Sequence, residues 1–287
     1  LTNYFSFDST EILKQSAKII IIYSLITFGI FIFLVLVNLR IFDAFNLALT
    51  IISSGGFLPV NDLNIIFNSD ISKFVLSLSI LTSYFSLFFI FNLIFIKKKN
   101  LNYLSEDFYL LIYLLIIISL FFVFFNQNNF MDILVSISSS VSNLGISLIN
   151  TETNLTFVFL ILVIIGGSFF STSSGLRFLK VLSLIKFSLN NLLSHTKPNQ
   201  IYMNRVSLLN QSTHQEDINK YFLAITIFII SLFSITILLT IGNIDFSTSF
   251  KLGILTIMNT ANSGMYQLQD FHFYNLGFFP KFFLIIF

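Results

Sequence analysis

Long apolar runs alternate along this chain with shorter, half-apolar ones that end in small and polar residues. Stretches at about 18–37, 71–95, 108–125 and 220–241 are each close to or beyond the roughly 20 residues that carry a helix across a hydrocarbon core. Between them lie segments too short to cross. The first, DAFNLALTIISSGGF at 43–57, reads as a short helix stopped by Gly55, Gly56 and Pro59. A second copy, DILVSISSSVSNLGI, occupies 132–146, and a looser third, DFSTSFKLGILTIMNTANSGM, occupies 245–265. Aspartate and last glycine stand 13 residues apart in the first two copies and 19 apart in the third. Glycines 56, 145 and 264 are spaced by 89 and 119 residues, which makes an internal repeat in three copies. The apolar region at 155–193 would measure about 58 Å as one helix, almost twice the hydrocarbon core of about 30 Å. Its interruption, GGSFFSTSSG at 166–175, falls near the middle and predicts two half helices.

Composition turns this alternation into a fold class. With 55% hydrophobic and 10% charged residues and a mean hydropathy of +0.89, the 287-residue chain has too little polar surface for a soluble globule. The expectation is an all-α polytopic membrane protein, built of tandem helix, pore-loop, helix repeats around a central ion pore. Its units are 1–100 with a filter near 53–57, 101–193 with a filter near 142–146 and the loop 166–175, and 220–287 with a filter near 262–265. A polar cytoplasmic loop at 194–219 separates the last two. The sequence starts at Leu1 and stops inside FFLIIF, so a piece of a longer protein is expected. Placing both ends of each unit on one side gathers ten of the fifteen Lys and Arg there, Lys97, Lys98 and Lys99 included, and marks that side as cytoplasmic. The half spans then dip in from outside and return.

A half helix ending near the membrane centre points its partial negative charge at whatever sits there, which favours a cation. The residues that follow, Ser54-Gly55-Gly56, Asn143-Leu144-Gly145 and Asn262-Ser263-Gly264, are the candidate filters. Their backbone carbonyls would replace the water shell of an alkali ion, K⁺ being held by carbonyls alone. Asp43, Asp132 and Asp245 either stabilise the amino ends of the half helices or draw ions to the mouth. The thirteen carboxylates all fall at span ends or in loops, which disfavours a proton relay. Residues 166–175 are a candidate gate beneath the filter or a kink that lets two half helices pack. Arg177 either screens the pathway or snorkels to the headgroups. No cysteine is present, and His195, His214 and His272 have no second ligand at metal spacing. Neither an enzyme, a bound cofactor nor a nucleic-acid partner is expected. A secondary transporter with broken helices is the alternative, but it calls for repeats of opposite topology, whereas these run in one direction.

At these residues the chain resembles the membrane subunit (TrkH/KtrB-like) of the Trk/Ktr potassium-uptake family, without that family's first repeat. DAFNLALTIISSGGF resembles the pore loop of the family's second unit, MDILVSISSSVSNLGI that of the third and KLGILTIMNTANSGM that of the fourth. IGGSFFSTSSGLRFLKVL at 165–182 is similar to the family's glycine-rich intramembrane loop, with Arg177 as its closing basic residue. The resemblance implies potassium uptake across the bacterial inner membrane by a multi-pass subunit set in lipid. It also implies a homodimer and a cytoplasmic nucleotide-binding regulatory subunit (TrkA/KtrA-like, RCK). The implied gate residues are Gly166, Gly167, Ser171, Thr172, Ser173, Ser174, Gly175 and Arg177. Phe170, Ser173 and Ser174 stand where the family's loop usually has glycines, and Asn143-Leu144 replaces a smaller pair.

Overall fold

The computed structural model describes residues 9–60, 63–87, 104–124, 130–148, 153–196, 207–208, 211–212, 215–261, 264–268, 274 and 276–287. Helices dominate, in three tandem groups. The first holds α1 (Ser9–Leu36), the short α2 (Ile41–Ser53) and α3 (Asp70–Tyr84). The second holds α4 (Leu104–Phe124), the short α5 (Phe130–Val141), and α6 (Thr153–Ile164) followed after a loop by α7 (Phe178–Thr196). The third holds α8 (Gln215–Ile241), the short α9 (Phe246–Ile257) and α10 (Phe278–Ile286).

Among the described residues three segments, Ser16–Leu36, Glu106–Val123 and Asp217–Ile241, are long and apolar enough to cross a membrane. Only 22%, 28% and 22% of them is buried, so most of their apolar surface faces outward. Ile20, Phe28 and Phe33 on α1 and Phe222, Ile230 and Ile237 on α8 are all more than half exposed. Such continuous apolar faces suit lipid rather than water.

Long helix gives way to short helix by one device. Asn38 (φ 65°) ends α1 and Asn243 (φ 62°) ends α8, each in the left-handed region. Asn38 N donates to Val35 O (3.0 Å) and Leu39 N to Leu34 O (3.4 Å); Asn243 N donates to Thr240 O (3.1 Å) and Ile244 N to Leu239 O (3.4 Å). This paired closure satisfies carbonyls that the helix end would otherwise leave open. The next helix starts three residues on in both cases, at Ile41 and Phe246. Asp245 caps α9, accepting from Ser247 N (3.1 Å) and Ser247 Oγ (2.6 Å), and these bonds hold its carboxyl below the usual carboxylate range.

The short helices sit inside. Ala44, Leu47, Ala48, Ile51 and Ile52 of α2 pack with Leu34 of α1 and Leu76 and Ile80 of α3 in one apolar core. Ile133, Ile137 and Val141 of α5 pack with Leu110, Phe159, Val163, Ile235 and Leu255 in a second. Val135 and Leu144 reach from the second unit into the first core, so α5 bridges the two. Every residue of α5 from Ile133 to Val141 is buried, four serines included. Ser136 Oγ donates to Asp132 O (3.0 Å) and Ser140 Oγ to Ser136 O (2.8 Å), so those hydroxyls enter the core with partners.

The apolar run expected to span at 71–95 is not one helix. It stops at Tyr84, and Phe85 is extended (φ −79°, ψ 161°). No glycine or proline in the run forecasts a break, and its cause is tertiary, as the loop beside it shows. Residues 88–100 lie outside the described residues.

Candidate functional site

Each short helix ends in the same turn. Ser54 (φ 51°), Asn143 (φ 61°) and Asn259 (φ 49°) are left-handed. Their N–H groups donate three residues back, to Ile51 O (3.2 Å), Ser140 O (3.2 Å) and Thr256 O (3.1 Å). The next N–H groups, of Gly55, Leu144 and Thr260, donate five residues back, to Thr50 O (2.9 Å), Ser139 O (3.0 Å) and Leu255 O (2.9 Å). This is the Schellman closure three times over, and it fixes the register between repeats without reference to side chains. Gly56, Gly145 and Ala261 are therefore equivalent.

That register revises the third copy. The sequence pattern selects Asn262, Ser263 and Gly264; Asn262 and Ser263 lie outside the described residues, and Gly264 opens the 3-10 turn Gly264–Tyr266. The place held by Gly56 and Gly145 belongs to Ala261. Likewise Thr248, not Asp245, matches Asp43 and Asp132, and the spacing of 13 recurs between 248 and 261. Gly56 (φ +69°) and Gly145 (φ +79°) need the left-handed freedom of glycine, whereas Ala261 is not among the positive-φ residues.

The three turns meet. A Cβ placed on Gly56 would lie 2.2 Å from Ala261 Cβ and 2.4 Å from Leu144 O; one on Gly145 would lie 2.1 Å from Ala261 O. Turns from α2, α5 and α9 are thus in van der Waals contact, with three helix carboxyl ends converging on one point. Two turns are braced by a hydroxyl: Thr50 Oγ1 accepts from Phe57 N (3.0 Å) and Ser139 Oγ from Ile146 N (2.6 Å). Leu255 holds that place in the third. Ser54 Oγ and Asn143 Oδ1, at equivalent positions, are buried oxygens with no hydrogen-bond partner among the described residues. The pattern marks Ser54 and Asn143 for their backbone carbonyls and gives no signal for these side-chain oxygens.

The loop between α6 and α7 is drawn shut at its neck. Strand β1 (Ile165–Gly166) pairs in parallel with β2 (Leu176–Arg177). Gly166 and Gly175 are needed there, since a Cβ on Gly166 would lie 2.2 Å from Ser174 O. Arg177 turns inward rather than towards headgroups or an open pathway: its Nη1 donates to Ser168 O (3.0 Å), Ser173 O (3.1 Å), Ser171 O (3.3 Å) and Ser171 Oγ (2.9 Å). Gly167 N donates to Ser173 Oγ (3.0 Å), and Thr172 Oγ1 to Ser83 O (3.3 Å).

The loop enters the break in α3. Ser168 N donates to Tyr84 O (3.2 Å), Ser173 N to Ser83 O (3.1 Å), and Leu87 N to Phe170 O (3.3 Å). Open backbone groups of one broken helix thus satisfy those of the other. Two carboxylates at the start of α4 complete the seat: Glu106 Oε1 accepts from Phe169 N (3.1 Å), and Asp107 Oδ1 from Ser86 N (3.0 Å). Asp107 is only 1% exposed, so this acid is structural despite its place at a span end. In the sequence the pair is indistinguishable from an ordinary polar connection.

From the other side the loop touches the turns that close α5 and α9. Asn143 Nδ2 donates to Ser174 Oγ (2.8 Å), and Ser174 Oγ donates to Met258 O. The same amide also reaches Val163 O (3.1 Å) and Met258 O (3.3 Å). Of the predicted site residues, the structure brings together Ser54, Gly55 and Gly56 with Asn143, Leu144 and Gly145, and sets the loop from Gly166 to Arg177 against them.

No family model and no curated protein matches the chain by sequence. Among solved structures it is similar to the potassium transporter TrkH from Vibrio parahaemolyticus, with a TM-score of 0.83 and 17% sequence identity. The match covers 98% of this chain and 62% of that one, so the chain spans less than two thirds of the transporter's length. The likeness is one of fold.

Proposed function

We propose that this chain, which has the fold of a potassium transporter, supplies three filter turns and the gate loop of a pore for monovalent cation uptake across the bacterial inner membrane. One observation carries the reading: turns from α2, α5 and α9, closed by the same hydrogen bonds, meet at Gly56, Gly145 and Ala261. Peptide carbonyls held there at three negative helix ends suit a dehydrated K⁺ ion, neutral ligands avoiding the over-tight binding that carboxylates would impose. Beneath them the loop at 166–175 fills the path and acts as the gate, its serines and glycines making a segment that hydrogen bonds rather than apolar packing hold in place. The resemblance of 165–182 to an intramembrane gate supports a membrane dimer governed by a cytoplasmic nucleotide-binding subunit. Ion binding lies in Ser54, Gly55 and Gly56, in Asn143, Leu144 and Gly145, and in the third turn at Thr260 and Ala261 instead of Asn262, Ser263 and Gly264.

The test is rescue of a bacterial strain deficient in potassium uptake by the full-length gene. Growth at low potassium is expected with the wild type and with Gly29→Ala, where nothing lies within 4 Å of the added methyl. Gly56→Leu and Gly145→Leu should abolish it. Growth retained by both leucine variants, at normal protein levels, would remove the filter assignment.

A further inference from the structure

Within the pore reading, we infer that Asn143 and Ser174 form a latch that ties the gate loop to the filter, so that loop position and filter conformation move together. Asn143 is the left-handed residue that closes α5 and begins the second filter turn. Its backbone sets the turn while its side chain, on a residue 0% exposed, leaves the turn and donates to Ser174 Oγ at 2.8 Å. Ser174 passes the bond on to Met258 O, at the carboxyl end of α9 where the third turn begins. One loop hydroxyl therefore joins two of the three filter turns, with amide donating to hydroxyl and hydroxyl to carbonyl.

Other hydrogen bonds of the loop run elsewhere. Arg177 bonds only to the loop's own atoms, Ser168 N, Ser173 N and Thr172 Oγ1 bond to α3, and Phe169 N bonds to Glu106. Those contacts seat the loop against the scaffold; Ser174 alone among these residues seats it against the filter. If the loop withdraws, Asn143 loses an acceptor and Met258 O a donor, at the two places where the filter turns are defined. The amide keeps Val163 O and Met258 O, and Met258 O keeps the amide and Thr260 Oγ1, so withdrawal removes one bridging bond from each turn, and the turns readjust or take up water when the gate opens. An ion that stabilises the closed arrangement of the turns correspondingly holds the latch.

These 287 residues hold no cysteine, so once any cysteine elsewhere in the full-length protein is changed to serine a single reporter can be placed. Thr172→Cys in the full-length protein places a thiol in the loop, and its rate of modification by a small water-soluble maleimide measures loop release without relying on transport. Ser174→Ala removes the bridging hydroxyl, and Asn143→Gly removes the amide while keeping a residue at ease with φ 61°. Each change is expected to speed labelling about threefold to tenfold, the worth of one such hydrogen bond. The double variant should label no faster than the faster single one, because both changes break the same link. Rubidium uptake into cells should rise with labelling. Unchanged labelling in both variants, or effects that multiply in the double variant, would overturn the latch while leaving the pore reading intact in a protein that takes up rubidium. Labelling that responds as expected in a protein that carries no rubidium would uphold the contact and overturn the pore reading instead.

Discussion

At the scale of single residues, the turns that close α2, α5 and α9, the proposed filter, depend on two glycines and one alanine that are not interchangeable. Gly145 combines φ +79° with a backbone carbonyl 2.1 Å from any added Cβ. Gly145→Ala therefore incurs both the left-handed penalty of about 1–2 kcal/mol and an overpacking cost of about 1–3 kcal/mol. The variant is expected to lower thermal stability in detergent and to cut cation uptake at least tenfold, whereas Ala261→Gly should keep both close to wild type. Equal tolerance of the two changes would argue against the crowding and left-handed strain assigned to Gly145. Gly145 was legible in the sequence because a glycine after a short helix is a turn signal. Ala261 was not: Gly264 lies three residues on and offers the same signal, and only the left-handed backbone of Asn259 reveals the register.

At the scale of elements, the short helices announce themselves through their length and polar ends, but the way they are held does not. Lys73 at the start of α3 reaches Asp132 in the first turn of α5 at 2.6 Å, and the two side chains are only 11% and 14% exposed. The sequence supports a dipole role for Asp132 and gives no reason to pair it with a lysine 59 positions earlier. Removing one member leaves the other charge nearly buried and unpaired, at a cost on the order of 3 kcal/mol. Asp132→Asn should accordingly lower thermal stability more than the double change Lys73→Met with Asp132→Leu, measured on the detergent-solubilised protein. The reverse order would make the pair incidental. The break in α3 belongs to the same category. Its apolar run has the composition of an uninterrupted helix, and what stops it is the loop from another repeat, together with Asp107, competing for its backbone groups. Information of that kind is spread over residues 20 to 90 positions apart, beyond the reach of local pattern.

At the scale of the whole molecule, the fold is a sum of three similar units that close on one another. The outward faces of α1, α4 and α8 are largely apolar beyond their polar first turns, and the inward ends of α2, α5 and α9 are polar turns. This division was legible, because lipid-facing helices must be uniformly apolar while re-entrant ones cannot be. What pattern alone did not provide is that the turns touch, for convergence is a property of packing between units. The α5 helix makes it possible, being shared between two apolar cores and buried along most of its length.

Binding of thallium(I), a potassium surrogate with a strong anomalous signal, tests this convergence directly in crystals of the full-length protein. A site is expected on the axis among Gly56, Gly145 and Ala261, within coordinating reach of their backbone carbonyls. No anomalous peak between those three turns, with thallium bound elsewhere in the protein or not at all, would contradict it.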